Sequence, residues 1–208
     1  MIALVDYGAG NLTSVRKALF ALGAEVTTPS APDDVATASG IIVPGVGHFE
    51  ATATLDQRWR SAIRSAIGRG AALFGICLGM QWLFEGSDEA PQLSGLGIFQ
   101  GNCVRLEAGG TQKTKIGPAY FLKVPHVGWN SLELSRPTTL MRGVPAHAHV
   151  YFTHSYAAPL VSGTAAIAAH GTRFSAAVED GRVAGAQFHP EKSGDVGLHI
   201  LRNWLDAR

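Results

Sequence analysis

The stretch AALFGICLGMQ, residues 71–81, joins an apolar run of strand character to the start of a helix through a turn flanked by Gly75 and Gly79. Glycines tolerate the strained dihedral angles of such a turn and let neighbouring backbone approach closely. Cys77 lies at the centre of the turn, where the N-terminal amides of the following helix favour thiolate over thiol. The stretch therefore predicts an α/β fold with a cysteine nucleophile. The alternative is a small buried hydrophobic side chain, the usual state of a free cysteine.

The residues on both sides of this turn repeat the pattern of a strand followed by a helix. Strands are predicted at residues 2–5, 25–27, 40–43 and 71–76. Helices are predicted at residues 12–22, 54–67 and 78–84. The first 85 residues therefore indicate a doubly wound, mostly parallel sheet with helices on both faces.

The second half of the chain changes character. Residues 95–134 and 150–188 contain short apolar stretches broken by Gly, Pro, Asn and Ser, which predict antiparallel strands added to the sheet. An amphipathic helix around residues 198–205 closes the chain. Residues 109–122, GGTQKTKIGPAYFL, combine turn residues with two lysines and are the expected mobile loop.

Composition excludes several classes of function. The 208 residues, 46% hydrophobic and 16% charged, fit a single domain spanning residues 1–208. A formal net charge of +1 without a Lys/Arg cluster argues against nucleic acid and membrane surfaces as partners. Two cysteines are too few for a disulfide scaffold, and no signal peptide or membrane span is recognisable, so we expect a cytoplasmic protein. His147 and His149 have metal-compatible spacing but lack a third ligand, so no metal is expected.

A second polar cluster lies near the end of the chain, in AGAQFHPEKS. His189 and Glu191 follow an apolar strand predicted at residues 183–188. In a strand-like alternation both side chains project the same way, so the carboxylate can hold one imidazole nitrogen while the other faces the thiol. Taken alone, a histidine in this position is more often structural than catalytic. Its place at the carboxyl end of a strand favours a ligand-binding role, because open α/β sheets bind ligands there.

The run PGVG, residues 44–47, also follows a predicted strand. Attack of a thiolate on an amide creates an oxyanion, which needs backbone amides directed at it. One amide can come from Leu78, directly after the nucleophile, and another from this glycine-rich loop. The alternative is a simple turn.

Together GICLGMQ, FHPEKS and PGVG resemble the class I (triad-type) glutamine amidotransferases, whose domain hydrolyses glutamine and delivers ammonia to a synthase. The resemblance covers nearly the whole chain and implies the flavodoxin-like fold of that family, with no cofactor. It places the catalytic triad on Cys77, His189 and Glu191. It places glutamine binding on the backbone of Gly45 and Leu78 and on Gln81, Ser155 and Tyr156.

The runs DYGAGNLTSV, PGVGHF, VPHVGWN, YFTHSY and FHPEKS resemble a narrower group, the glutaminase subunits of imidazole glycerol phosphate synthases. The resemblance implies a heterodimer with a (β/α)₈ barrel cyclase, which receives the ammonia, and L-glutamine as substrate. It also implies that a peptide in PGVG flips to complete the oxyanion hole, with the amide of Val46 as donor. The interface and gating positions that it implies are Asn11, Trp129, Tyr151 and Lys192.

Two features depart from the pattern of this group: Thr153 replaces an expected aliphatic residue, and the loop before VPHVGWN is longer than typical. Three alternatives stay open at this point. The chain could serve another synthase, such as that of the anthranilate or pyridoxal phosphate pathway, it could be an inactive regulatory subunit, or it could be a stand-alone cysteine hydrolase. The PGVG loop and VPHVGWN argue against the first, and the intact triad argues against the second.

Overall fold

The computed structural model describes residues 1–107, 111–112 and 120–208. Its helices are α1 (Leu12–Ala21), α2 (Gln57–Gly68), α3 (Leu78–Trp82) and α4 (Gly194–Ala207), with short 3-10 helices at Pro32–Thr37, Phe49–Thr54 and Pro190–Lys192. Its strands are β1 (Ile2–Leu4), β2 (Val26–Thr27), β3 (Gly40–Val43), β4 (Ala72–Ile76), β5 (Gly86–Ser87), β6 (Asn102–Arg105), β7 (Thr111–Gln112), β8 (Tyr120–Phe121), β9 (His126–Ser131), β10 (Glu133–Leu134), β11 (His149–His154), β12 (Tyr156–Ala157), β13 (Thr164–His170), β14 (Thr172–Asp180) and β15 (Val183–Ala186).

An eight-stranded sheet with the order β10-β13-β14-β15-β4-β3-β1-β2 forms the framework. The five strands from β15 to β2 run parallel. Their side chains alternate between two apolar clusters, so both faces of this part of the sheet are covered. Ile2 and Leu4 share one cluster with residues of α1 and α4. Ala3 and Val5 lie in the other, with residues of α2.

The sequence correctly predicted antiparallel strands from the second half of the chain, but only some of them join the framework. β14, β13 and β10 extend the parallel strands in antiparallel fashion. β9 pairs with β11, and β6 pairs with β5 and β12, in separate small sheets. The β9–β11 pair and the end of β11 lie beside the carboxyl end of β4, so these strands build walls around the site described below.

The α/β class predicted from the sequence is confirmed, whereas the bounds of several elements differ from the prediction. The strand predicted at residues 183–188 ends at Ala186, and the helix predicted at residues 78–84 ends at Trp82. Most of the loop predicted at residues 109–122 lies outside the described residues. In the described part of this loop, β7 and β8 form a short antiparallel pair. Within the described ranges, no helix has the length and apolar character needed to cross a membrane.

Candidate active site

Cys77 occupies the turn between β4 and α3, as the glycine pattern predicts. Its backbone has φ 52°, a left-handed conformation that is strained for a residue other than glycine and that often marks functional sites. Its N–H donates to the carbonyl of Ala186 at 2.7 Å, which ties the turn to β15. Gly79 is required on the far side of the turn, because a Cβ there would overlap the carbonyl oxygen of Val43. The sulfur is therefore held at the carboxyl end of the central parallel strands.

His189 and Glu191 meet at this same edge of the sheet. Nδ1 of His189 lies 2.8 Å from Oε1 of Glu191, and both side chains are only 1% exposed. The strand alternation predicted for them is wrong, because β15 ends at Ala186 and Glu191 lies in the 3-10 helix Pro190–Lys192. The tight turn, rather than the pleat of a strand, brings the carboxylate back onto the imidazole.

The second imidazole nitrogen of His189, Nε2, is buried and has no hydrogen-bond partner among the described atoms. Burial by itself would lower the pKa of His189, but hydrogen bonding and charge interactions with Cys77 and Glu191 outweigh it and raise the pKa to about 9. A protonated imidazole between a carboxylate and a sulfur is suited to stabilise a thiolate and to donate a proton to a leaving group.

The PGVG loop lies against the other side of the turn. The N–H of Leu78 donates to the carbonyl of Gly45 at 3.4 Å, so one of the two predicted oxyanion donors is already bonded within the protein. In a planar trans peptide the Gly45 carbonyl and the Val46 N–H point in opposite directions. The N–H of Val46 therefore points away from the amide of Leu78. In this arrangement the two predicted donors do not converge on one point.

Gly45 is tightly enclosed. A Cβ at this position would overlap the hydroxyl of Tyr7 and would lie 2.7 Å from Cβ of Leu78. The Tyr7 hydroxyl is buried and lacks a hydrogen-bond partner among the described atoms. Burial, together with the charge of Cys77, raises the pKa of Tyr7, so this hydroxyl stays protonated as a potential donor beside the loop.

A cleft of about 370 Å³ opens over Cys77. Four of the predicted glutamine-binding or oxyanion residues line it, whereas Gly45 and Val46 are not among its lining residues. The lining residues that carry polar side chains or the nucleophile are His48, Cys77, Gln81, Glu89, Thr153, His154, Ser155 and Tyr156. The cleft is wide enough for an amino acid and presents a carboxylate, that of Glu89, together with amide and hydroxyl groups.

Comparison with known proteins assigns this arrangement to a family. The family model described as glutamine amidotransferase class-I matches residues 3–207. The chain belongs to the class I glutamine amidotransferases. This confirms the family that the sequence motifs predict.

Curated relatives of this class I glutamine amidotransferase share one name. A protein of Moorella thermoacetica is 42% identical, covering 98% of this chain and 93% of its own length, and one of Geobacillus kaustophilus is 44% identical, covering 99% and 96%. A third, from Natronomonas pharaonis, is 42% identical and covers 99% and 94%. All three are named imidazole glycerol phosphate synthase subunit HisH.

Solved structures share the amidotransferase fold at lower identity. A glutamine amidotransferase crystal structure is 21% identical with a TM-score of 0.73, covering 99% of this chain and 97% of that one. The structure of PurLQS from Thermotoga maritima is 17% identical with a TM-score of 0.72 and the same coverage. These likenesses concern the fold alone.

Three of the predicted interface residues of this amidotransferase form one exposed aromatic and basic cluster. The rings of Trp129 and Tyr151 lie 6.0 Å apart at 74°, and Nζ of Lys192 lies 6.0 Å from the Tyr151 ring. Trp129 is 57% exposed, as is Val127 on the same strand. Asn11 instead caps α1, where its Oδ1 accepts from the N–H of Ser14 at 3.2 Å, and α1 packs against the turn that carries Lys192.

Sequence motifs did not predict the contact between two buried histidines, His126 and His154, of which His154 lines the cleft of the amidotransferase. Nδ1 of His154 donates to the Tyr156 carbonyl at 2.9 Å, so Nε2 of a neutral His154 must accept from Nδ1 of His126, also at 2.9 Å. Burial, together with His154 and His170, lowers the pKa of His126 to about 3. Burial lowers the pKa of His154 to about 4. The nearby His170 and His189 act in the same direction, whereas the hydrogen bond to the Tyr156 carbonyl acts against it. Both rings are therefore neutral and fixed in one tautomer.

Two further side chains of the amidotransferase site were missed. Gln187 stands two residues before His189 in AGAQFHPEKS, and its amide contacts the sulfur of Cys77 at 3.7 Å. Glu89 comes from the irregular segment after β5, and nothing in its local sequence indicates the cleft. Among the described residues, no group of three His, Cys, Asp or Glu side chains could hold a metal ion.

Proposed function

We propose that the chain is the glutaminase subunit of imidazole glycerol phosphate synthase in histidine biosynthesis, and that it passes ammonia to a separate (β/α)₈ barrel cyclase. The observation that carries the proposal is the buried series Cys77, His189 and Glu191 at the base of a cleft that fits an amino acid. The shared name of relatives at 42–44% identity over nearly the full length supports the choice of synthase.

Hydrolysis proceeds in two halves through a thioester. The thiolate of Cys77 attacks the side-chain carbonyl carbon of glutamine, and the C–O π electrons move onto the oxygen. His189 then donates its Nε2 proton to the amide nitrogen as the C–N bond breaks, which releases ammonia. Neutral His189 next removes a proton from water, the hydroxide adds to the thioester, and glutamate leaves with return of the thiolate. Glu191 holds Nδ1–H throughout and stabilises the imidazolium.

The cleft residues account for substrate recognition. Nε2 of Gln81 already donates to the Tyr156 carbonyl at 2.8 Å and to Oε1 of Gln187 at 3.1 Å, so Oε1 is the atom that Gln81 offers to glutamine. The carboxylate of Glu89 is the natural partner of the substrate α-ammonium. Ser155 and Tyr156 also line the cleft, and we propose that they contact the other end of the amino acid.

Completion of the oxyanion hole requires the Gly45–Val46 peptide to turn over. This movement would break the bond between the Gly45 carbonyl and the N–H of Leu78, and it would bring the N–H of Val46 to the same side. The two amides together would then bind the developing oxyanion. We propose that docking of the cyclase on the exposed cluster of Trp129, Tyr151 and Lys192 promotes this turn, with Asn11 at the margin.

The experiment measures glutamate release from L-glutamine by the chain alone, with a purified barrel cyclase, and with the cyclase and its nucleotide ligand. We expect low release from the chain alone and stimulation of at least about a hundredfold by the liganded partner, the size of one oxyanion donor. Cys77→Ala should abolish release in all three conditions while leaving the circular dichroism spectrum and melting temperature near those of the unmodified chain. Full activity without a partner would contradict the proposed closed loop, and release by Cys77→Ala would contradict the nucleophile.

A further inference from the structure

A buried amide outside the triad contacts the sulfur of Cys77. Nε2 of Gln187 lies 3.7 Å from Sγ and donates to it, and the Gln187 side chain is fully buried. A thiolate with little access to water needs protein donors to stabilise its charge. The helix that follows Cys77 has only five residues, so few peptide dipoles are aligned behind the sulfur. A direct N–H donor is therefore the stronger source of stabilisation.

A chain of hydrogen bonds fixes which end of the Gln187 amide faces the sulfur. The carbonyl of Tyr156 can only accept, so Gln81 must present its NH₂ group there, at 2.8 Å. The same NH₂ group donates its other hydrogen to Oε1 of Gln187 at 3.1 Å. Oε1 of Gln187 is therefore turned toward Gln81, and the NH₂ group of Gln187 is turned toward Cys77.

The acceptor that starts this chain is itself held in place. The Tyr156 carbonyl also accepts from Nδ1 of His154 at 2.9 Å, which occupies its second lone pair. His154 is hydrogen-bonded in turn to His126, and Nδ2 of Asn130 lies 3.3 Å from Nε2 of His126. The orientation of the Gln187 amide thus follows from a series of buried groups that each have one consistent donor and acceptor assignment.

We propose that Gln187 stabilises the thiolate of Cys77 by donating its Nε2–H to Sγ, and that Gln81 holds the Gln187 amide in the donating orientation. The inference rests on the proposed function only in taking Cys77 as the nucleophile. Gln81 then has a second role besides binding substrate. Gln187 joins Cys77, His189 and Glu191 as a fourth residue that prepares the sulfur for attack.

The titratable groups around the sulfur set the background against which this hydrogen bond acts. His189 and Glu191 approach from the segment after β15, and His154 approaches from the end of β11. The remaining titratable residues of the cleft and the turn are His48, Glu89, Tyr156 and Tyr7. A substitution at Gln187 changes none of these groups, so a change in thiolate formation reports the lost amide.

The test is the pH dependence of alkylation of Cys77 by iodoacetamide in the full chain, with Gln187→Met compared with the unmodified protein. Methionine keeps the length of the side chain and removes the donor. Mass spectrometry of the Cys77 peptide separates this reaction from any at Cys103, which is fully buried. We expect the midpoint of alkylation to rise by about one pH unit, so that alkylation is about tenfold slower at pH values well below both midpoints.

Ser175→Ala is the matched control. Ser175 is fully buried and donates to the Pro159 carbonyl at 2.6 Å, so the variant also loses a buried hydrogen bond, but Ser175 does not line the cleft. Its alkylation midpoint should equal that of the unmodified chain. An unchanged midpoint in folded Gln187→Met would overturn the inference. If Gln187→Met does not fold, Gln187→Asn retracts the amide by one methylene and should show an upward shift, and an unchanged midpoint there would also overturn it.

The alkylation assay needs neither glutamine nor a partner. A shifted midpoint in a chain that releases no glutamate with any cyclase would reject the proposed function and keep the role of Gln187. Normal glutaminase activity of the unmodified chain, together with an unchanged alkylation midpoint in Gln187→Met, would keep the proposed function and reject the role of Gln187.

Discussion

The two sides of the turn at Cys77 are held in different ways. On the side of the triad, β4 and β15 are central strands, and the 2.8 Å contact between His189 and Glu191 is already made in the isolated chain. On the side of the PGVG loop, the Gly45 carbonyl accepts a hydrogen bond from the N–H of Leu78. The groups proposed to move protons are thus assembled, while the groups proposed to bind the oxyanion are not. In a site divided in this way, rotation of the single Gly45–Val46 peptide can switch activity on without moving the nucleophile.

The largest effect is expected on the side of the triad, from Glu191→Gln. The amide can no longer hold His189 in one tautomer or stabilise its charge, so kcat for glutamine hydrolysis in the cyclase complex should fall by about 10³–10⁴-fold. Steady-state glutamate release measures this change. Glu179→Gln is the control, because the Glu179 carboxylate accepts from two backbone amides far from the cleft and that variant should keep its kcat. A loss below tenfold in Glu191→Gln would mean that the carboxylate does not act through His189.

A smaller effect is expected on the loop side, from Gly45→Ala. The new Cβ would overlap the Tyr7 hydroxyl and crowd Leu78, so the loop must shift, with a loss of about 1–3 kcal/mol in the free energy of unfolding. Stimulation by the cyclase should fall by about 10–100-fold, the range of one misplaced oxyanion donor. Alkylation of Cys77 should stay unchanged, since the triad is untouched.

Gly68→Ala provides the control for Gly45→Ala. Gly68 lies at the end of α2 with nothing within 4 Å of its would-be Cβ, so alanine there should leave the stability unchanged or slightly raised. Adding Tyr7→Phe to Gly45→Ala should recover part of the lost stability by removing one of the overlapping atoms. Equal stimulation by the cyclase in Gly45→Ala and Gly68→Ala would show that the loop does not have to move.

We expect replacement of Cys77 to change the pKa of His189 by about one pH unit or more. Its pKa of about 9 depends on Cys77 and Glu191 acting against burial, so the pKa should fall in Cys77→Ala. Because this pKa lies above the ordinary value of 6.5, the protonated ring contributes stability that is fully present below pH 6.5 and is lost as the pH rises through 9. Titration of the imidazole Cε1–H signal by NMR measures both values. An equal pKa in the two proteins would indicate that Cys77 does not interact with His189.

The smallest effect is expected at the exposed cluster, from Lys192→Ala. Removal of a surface cation above the Tyr151 ring should change the free energy of unfolding by at most about 1 kcal/mol. Affinity for the cyclase and the stimulation of glutaminase activity should each fall several-fold. Arg58→Ala, which removes an exposed cation on α2, is the control and should alter neither. Unchanged affinity and stimulation in Lys192→Ala would place the docking surface elsewhere.

The sequence predicted the family, the parallel strands and the turn at Cys77 because each depends on local patterns. Apolar runs end at glycines, and the cysteine stands between two of them. The meeting of His189 and Glu191 was predicted for an incorrect reason, since a 3-10 helix rather than a strand joins them. Gln187 went unnoticed because a buried glutamine has no chemical signature until its contacts are known.

Other features lay beyond sequence reasoning because they depend on long-range pairing or on small energy differences. Whether β9 and β11 join the main sheet or pair with each other is decided by contacts between distant segments. The direction of the Gly45–Val46 peptide is set by one 3.4 Å hydrogen bond, whose net contribution is about 1 kcal/mol. The resemblance implies that a peptide in PGVG must flip, and the structure adds the hydrogen bond that holds this peptide in its present direction.

The hydrogen bond from Leu78 to Gly45 also affects how much glutamine a cell would lose to unwanted hydrolysis. If the two subunits were not made in equal amounts, an excess of a fully competent glutaminase would hydrolyse glutamine and release free ammonia. With the Gly45 carbonyl in the oxyanion position, surplus copies of this chain would remain nearly idle. A single backbone contact would thus make tight control of subunit stoichiometry unnecessary.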